Sequence, residues 1–457
     1  MDKNSNFGAV IKSPGFINLW INQVLVQLSY NALNFALIIW VFRLTNSNTA
    51  VSGLLFAVYL PAVLFGLFAG VLVDAVDRKK IILAIDSLMA VIFFLLVFLK
   101  QVYLAVLVLT FCLNTLTQFY TPAESSSIPL LVKKNQLLQA NSLFTLTLFL
   151  TFLVGYGLAG PFIAFLGIDF VFAAGTALLT IAFILANRFP SITTPGDKMS
   201  RRLINSIKKK DFHDIRSILF AEVKETLGQI RGRLSVASSM MILAGVQAII
   251  GVMAVLIPSF LERVLQINAT DATYVLIAPL GLGMVLGAFL IGRFGHKFAK
   301  RKLVGRAIIT VGLILFLIGG APLISPAIQY FRTPHPLHFI HQPSLSKILA
   351  AGSFLLGLAL VSILIPSQTV LQENTPKEDR GKVFAVLAVA MSAVSLLPVL
   401  FAGILADIFG TMPIFIGLGG VIFILGLFAL KPDFFFEENF LPFHIREFLG
   451  LGHWENQ

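Results

Sequence analysis

Charge is scarce in this chain: Asp, Glu, Lys and Arg together make up 12% of its 457 residues, about half the share found in soluble domains. Cysteine is scarcer still. The lone Cys112 excludes an intrachain disulfide and leaves no cysteine pair for a metal site or a redox dithiol. No Gly-rich phosphate loop ending in Lys-Ser or Lys-Thr occurs, nor a Gly-x-Ser-x-Gly turn, so neither nucleotide-driven work nor serine hydrolysis is expected. The first fifteen residues hold no apolar run, so no cleaved leader is expected and the first long apolar stretch serves as an uncleaved insertion signal.

What is abundant is apolar surface: 57% of residues are hydrophobic and 43 are Phe. Crossing the hydrocarbon core takes about 20 apolar residues in a helix, and twelve stretches qualify, near 16–42, 50–73, 81–99, 102–131, 139–166, 169–187, 236–261, 272–292, 304–326, 348–372, 383–406 and 411–430. The sequence therefore predicts an all-α membrane protein with twelve transmembrane helices. The narrowest divisions are Lys100-Gln101 and Gly167-Ile168-Asp169.

A net charge of +12 would suit nucleic acid if it were clustered on a polar face. Its placement suits a membrane instead. With both termini cytoplasmic, only Arg43, Lys100, Arg263, Arg332 and Lys347 of the 34 basic residues fall outside, as the positive-inside rule requires. The longest polar interruption, 188–235, separates an N-terminal half (1–187) from a C-terminal half (236–430), with an aromatic tail at 431–457. Within the linker, Phe212, Ile215, Leu219, Val223, Leu227 and Ile230 keep helical spacing and predict an amphipathic helix on the inner leaflet.

The halves echo each other. Gly66 and Gly70 match Gly283 and Gly287, each pair followed by a basic loop; Pro122 and Glu124 match Pro366 and Gln368. Two six-helix repeats are the plan of transporters that rock around a midplane site. Before the first basic loop, Ala62, Gly66, Gly70 and Asp74 fall on one helical face, where small residues admit a second helix. Arg78, Lys79 and Lys80 follow at the membrane surface, so Gly66, Gly70, Asp74, Arg78 and Lys79 form a candidate gate. An ordinary tight helix pair with a basic flank is the competing reading.

Polar residues inside spans are the binding candidates, because lipid offers them no partner. Gln23, Gln27, Tyr30, Asn31 and Asn34 make a stripe on the first span; Asn114 and Gln118 continue it on the fourth, Gln247 on the seventh, and Gln368 and Gln372 on the tenth. They line a wet cavity or bond neighbouring helices. No Lys or Arg lies mid-span, which disfavours a strongly anionic substrate and leaves neutral or cationic amphipaths. Acids within spans are few. Glu124, between Pro122 and Pro129, is the first proton-coupling candidate, and Asp86 the second, with a partnership to Arg78 or a neighbouring polar group as its alternative. Asp407 ends the eleventh span and reads as interfacial.

The stretch Gly70-Val-Leu-Val-Asp74-Ala-Val-Asp77-Arg78-Lys79-Lys80 resembles the loop motif of the major facilitator superfamily, G-x-L-x-D-x-x-G-R-K-x, with Asp77 in place of its second glycine. Phe16 through Gln27, Thr121-Pro122-Ala123 with Ile128-Pro129, and Thr375-Pro376 through Phe384 resemble its drug:proton antiporter branch, which includes macrolide efflux proteins and enterobactin exporters. Gly155, Gly157, Gly160 and Pro161 resemble the antiporter motif G-x-x-x-G-P-x-x-G-G, whose tail is absent here; as a helix-bend motif it competes with simple packing. The resemblance implies that Asp74 caps the eleventh helix near Lys382-Val383 and latches the inner gate, and that spans 1, 4, 7 and 10 line the pathway.

The expected function is secondary active transport, proton-coupled efflux of a neutral or cationic amphipathic small molecule by alternating access. A lipid or siderophore transporter or a uniporter of the same fold stays open, as does a non-transporting membrane sensor or scaffold. Expected partners are a small-molecule substrate, protons and the lipid bilayer of the cell membrane, with no nucleic acid and a monomeric state. No cofactor is expected. No metal is expected either, since Pro334, Pro336 and Pro343 disrupt any regular gathering of His335, His338 and His341.

Overall fold

Apolar runs of this length can satisfy their backbone N–H and C=O groups inside lipid only as helices or closed barrels, and among the described residues they form helices and no strand. The computed structural model describes residues 10, 13–73, 76–133, 136–190, 234–266, 273–294, 299–330, 345–375 and 380–430. The linker helix at 212–230, the three histidines and the tail lie outside them. Twelve helices are long and apolar enough to span. They are α1 (Pro14–Thr45), α2 (Asn48–Val73), α3 (Arg78–Leu99), α4 (Tyr103–Leu131), α5 (Leu137–Leu166), α6 (Ile168–Ala186), α7 (Leu234–Ser259), α8 (Ala278–Phe294), α9 (Lys300–Tyr330), α10 (Leu345–Glu373), α11 (Arg380–Phe409) and α12 (Thr411–Leu430). The protein is a multi-pass membrane protein.

The narrow divisions predicted from sequence are real, and their chemistry is visible. One residue parts α5 from α6: Gly167 takes φ +80, a conformation that L side chains rarely adopt, and Gly410 at φ +83 does the same between α11 and α12. Asp77, standing where the superfamily motif has glycine, sits at φ −62 and ψ 115, which any residue can adopt. Its carboxylate accepts from Lys79 N at 3.0 Å and so caps α3. Two π-helical turns were not legible in the periodicity: Phe260–Val264 continues α7 and Thr273–Ile277 leads into α8.

The chain divides into two compact units, Met1–Thr45 with Gly53–Glu225, and Asn46–Ser52 with Thr226–Gln457. In the first, α1 packs on α5 and α6, and α3 on α4 and α6. In the second, α7 packs on α11, α9 on α10 and α12, and α8 on α10. Five pairings recur at the same offset of six helices, α1·α5 with α7·α11, α3·α6 with α9·α12, α3·α4 with α9·α10, α1·α4 with α7·α10 and α5·α6 with α11·α12, which supports the internal repeat. Close approach is made by glycine. A Cβ on Gly283 would lie 2.0 Å from Phe354 O, and one on Gly357 would lie 2.0 Å from Leu280 O, so α8 and α10 meet backbone to backbone. Around Gly70, by contrast, a Cβ would meet no described atom within 4 Å. The repeat preserves the glycine there without the same contact.

Residues 46–52 join the second unit because Asp407 at the end of α11 gathers them. Its carboxylate accepts from Ser47 Oγ at 2.6 Å, from Asn48 N and Nδ2 at 2.9 Å each, and from Thr49 N and Oγ1 at 2.9 and 2.7 Å. An acid at the first turn of a helix satisfies N–H groups that have no intrahelical acceptor and complements the helix dipole. Asn48 in turn accepts from Ser259 Oγ at 2.5 Å. Asp407→Ala is expected to lower the melting midpoint of purified protein by roughly 2–4 °C, the shift that loss of one such cap gives a unit of this size; an unchanged midpoint would show that water replaces these bonds without cost.

Candidate functional site

Four polar side chains meet inside the first unit, and the packing of α1, α3, α4 and α6 brings them together. Asn22 lies on α1 beside the predicted stripe and is wholly buried. Its Nδ2 donates to Asp86 Oδ2 on α3 at 2.7 Å and to Ala182 O on α6 at 3.0 Å. With both amide hydrogens taken, its carbonyl turns toward α4. There the Tyr120 hydroxyl stands 2.8 Å from Asn22 Oδ1 and 3.1 Å from Glu124 Oε1, one helical turn further on. Asp86 is 0% exposed and Glu124 4%, so neighbouring helices screen both carboxyls from water.

Among the described residues, every hydrogen-bond partner of these two acids is neutral, and Asp86 Oδ1 accepts no bond at all. A fixed buried carboxylate calls for a cation or several donors; an acid without them is suited to taking up and releasing a proton. The two acids proposed separately from sequence thus belong to one network. Asn22 and Tyr120, the residues that connect them, were not among the sequence candidates. The signal for Asn22 was its isolation, a full amide in an apolar span about 100° around the helix from the Gln23 stripe. Asp86 meets the neighbouring-polar-group alternative, through Asn22.

The stripe is partly consumed by helix packing. Tyr30 donates its hydroxyl to Asn114 Oδ1 at 2.7 Å, joining α1 to α4, and Asn114 Nδ2 donates back to Thr110 O at 2.8 Å. Gln23, 1% exposed, donates to Phe144 O at 3.4 Å. Trp20 Nε1 adds a bond to Thr147 Oγ1 at 2.8 Å. Asn31 is buried where α5 presses closest, since a Cβ on Gly155 would lie 2.7 Å from Asn31 Cβ. Asn34 Nδ2 donates to Tyr30 O and Gln118 Nε2 to Asn114 O. Gln27, Tyr30, Asn34, Gln118 and Gln247 are half-buried; Gln368 and Gln372 are exposed, so Gln368 does not share the burial of Glu124, its match in the repeat. Helix α5 runs unbroken through Gly155, Gly157, Gly160 and Pro161, and Gly157 has open space around it.

Of the gate residues, Asp74 lies outside the described residues. Arg78 opens α3 and is 5% exposed. Lys79 Nζ donates to Asn187 O at 2.8 Å and to Phe189 O at 2.7 Å, where a cation favours the carbonyl end of α6. Gly66 and Gly70 are half-buried on α2.

The family model described as Major Facilitator Superfamily matches residues 19–333 and again 306–443. Macrolide efflux protein A of Streptococcus pyogenes is 22% identical over 405 residues, covering 86% of this chain and 90% of that protein. The uncharacterized MFS-type transporter YfmI of Bacillus subtilis (strain 168) is 21% identical over 437 residues, covering 92% of this chain and 96% of its own. Among solved structures, a mutant of the nucleoside transporter NupG superposes with a TM-score of 0.66 at 13% identity, over 91% of this chain and all of that one. That likeness is one of fold.

Proposed function

Because the chain belongs to the Major Facilitator Superfamily and is a transporter, not an enzyme, we propose that it exports a neutral or cationic amphipathic small molecule in exchange for protons, by alternating access. The observation that carries this reading is the pair of buried acids, Asp86 and Glu124, joined through Tyr120 and Asn22 with no basic partner among the described residues. Export is supported by likeness to a macrolide efflux protein. The half-buried Gln27, Tyr30, Asn34 and Gln118 are the groups we assign to the substrate's polar atoms.

The basic residues set the proposed orientation, with both termini on the cytoplasmic side of the cell membrane. Asn22, Asp86 and Glu124 then stand eight, eight and seven residues from the cytoplasmic ends of α1, α3 and α4, roughly 12 Å from those ends at the helical rise. A proton released there is delivered inward. In everted vesicles acidified inside, a transported substrate should dissipate the pH gradient, and candidates can be chosen beforehand by their shift of the melting midpoint of purified protein. Substrate movement with no proton flux would instead make the protein a uniporter.

Asp74 and Arg78 serve as the inner latch in this reading, the role that the loop motif implies for them. A carboxylate favours a helix N-terminus, and opening toward the cytoplasm releases that latch. Asp74→Asn should slow turnover severalfold while the protein still inserts and purifies; wild-type turnover would remove Asp74 from the gate.

A further inference from the structure

A phenol has one hydrogen to give, and Tyr120 stands within bonding distance of two oxygens, Asn22 Oδ1 at 2.8 Å and Glu124 Oε1 at 3.1 Å. Asn22 cannot help by flipping, since its Nδ2 already serves Asp86 Oδ2 and Ala182 O. Both Tyr120 contacts are hydrogen bonds only when Glu124 carries a proton. The donors then run one way: Glu124 to Tyr120, Tyr120 to Asn22, Asn22 to Asp86 and to α6. When Glu124 is ionised, its charge makes it the stronger acceptor. Tyr120 keeps its own proton but turns it to Glu124, and the wholly buried Asn22 Oδ1 loses its donor.

Resting on the reading of Glu124 as a proton carrier, we propose that Tyr120 is a positioning residue that reports the proton on Glu124 to α1 through Asn22. Asn22 is the one described side chain that ties α1 to both α3 and α6 by hydrogen bonds, so losing its third bond loosens α1 where three helices meet. A proton carrier alone would not need this arrangement. The relay converts proton occupancy on α4 into the packing of α1, which bears the stripe assigned to substrate.

Glu124 and Asp86 are the two carboxyls of the network, and Glu124→Gln tells them apart: a pH dependence that survives it belongs to Asp86. Tyr120 and Asp86 are the titratable groups facing it. On α5, residues Leu137–Leu166 include no Asp, Glu, Lys, Arg or His. The charged residue of α1 is Arg43, at its far end, and that of α6 is Asp169, also at the far end. Arg78, Lys79 and Lys80 lie at the start of α3, about two turns from Asp86.

Hydrogen exchange by mass spectrometry on the purified full-length protein, between pH 5 and pH 9 and corrected for intrinsic rates, reads the relay directly. In the wild type, amides of residues 18–26 should exchange about tenfold faster once Glu124 ionises, the size expected from one buried acceptor left without its donor. Glu124→Gln should hold them slow at every pH, and Tyr120→Phe should remove the pH dependence although Glu124 still titrates. A merely structural Tyr120 would change the level of protection and leave its pH dependence. Should Tyr120→Phe fail to fold, Asn22→Ala removes the same link and is expected to flatten the same profile. A wild-type pH profile retained in either variant overturns the relay. Proton-driven transport measured in parallel separates the two ideas: if the wild type is proton-driven and Glu124→Gln is not, the transport reading survives failure of the relay, whereas proton-independent transport overturns that reading itself.

Discussion

Replacing Glu124 with Gln should abolish uphill, proton-driven export while the protein remains folded. Gln is nearly isosteric with a protonated Glu, and its amide can either accept from the Tyr120 hydroxyl or donate to it, so the buried network keeps its bonds. What it cannot do is release a proton. In a one-for-one exchange, each pH unit across the membrane supports about a tenfold substrate ratio, because each unit is worth about 1.4 kcal/mol. In everted vesicles the wild type should reach about that ratio per unit and Glu124→Gln a ratio of about one, while binding judged by thermal shift persists. A variant that still accumulates substrate would place coupling elsewhere, and Asp86→Asn becomes the variant to compare.

Gly283→Leu should prevent the C-terminal unit from folding. A Cβ there would sit 2.0 Å from Phe354 O and 2.8 Å from Phe354 C, and both are backbone atoms of α10 that no rotamer change moves. Ordinary overpacking costs about 1–3 kcal/mol because side chains yield; here a helix must move, so the cost is larger. The expected result is aggregation in place of a monodisperse peak on size exclusion. Gly292→Leu, on the same helix with nothing within 4 Å of its Cβ, should remain monodisperse. Equal behaviour of the two variants would mean that α8 and α10 do not approach as closely as the glycines allow.

The features legible in the sequence are those written along one helix. Apolar length gave the twelve spans, charge asymmetry their expected orientation, and isolated acids the two carboxyls. The helix ends were read within a few residues, α1 beginning at Pro14 where the apolar run begins near 16, and α11 reaching Phe409 beyond the predicted 406. The connections between helices were not legible. Asn22 reaches Ala182 across 160 residues of sequence, and no spacing along α1 announces it. The role of Asp77 was hidden for a different reason: read against the superfamily motif it is a departure, while its backbone geometry makes it a helix cap. Likewise the stripe on α1 marks polarity but not occupancy, and only the packing shows that Gln23 donates to α5 and that Asn114 Oδ1 is taken by Tyr30.

The backbone contact of α8 with α10, made at Gly283 and Gly357, also sets a schedule for biogenesis. The two glycines are 74 residues apart in the chain, with all of α9 between them. At a synthesis rate of about 5–20 residues per second, α8 leaves the ribosome roughly 4–15 s before the surface it fits has been made. During that interval its glycine face has no mate, and α9 emerges without displacing it. Insertion of this half is therefore expected to be late and concerted, with α8 held at the translocon until α10 arrives; crosslinks from α8 to the insertion machinery should persist in nascent chains ending before residue 345 and vanish once α10 is complete.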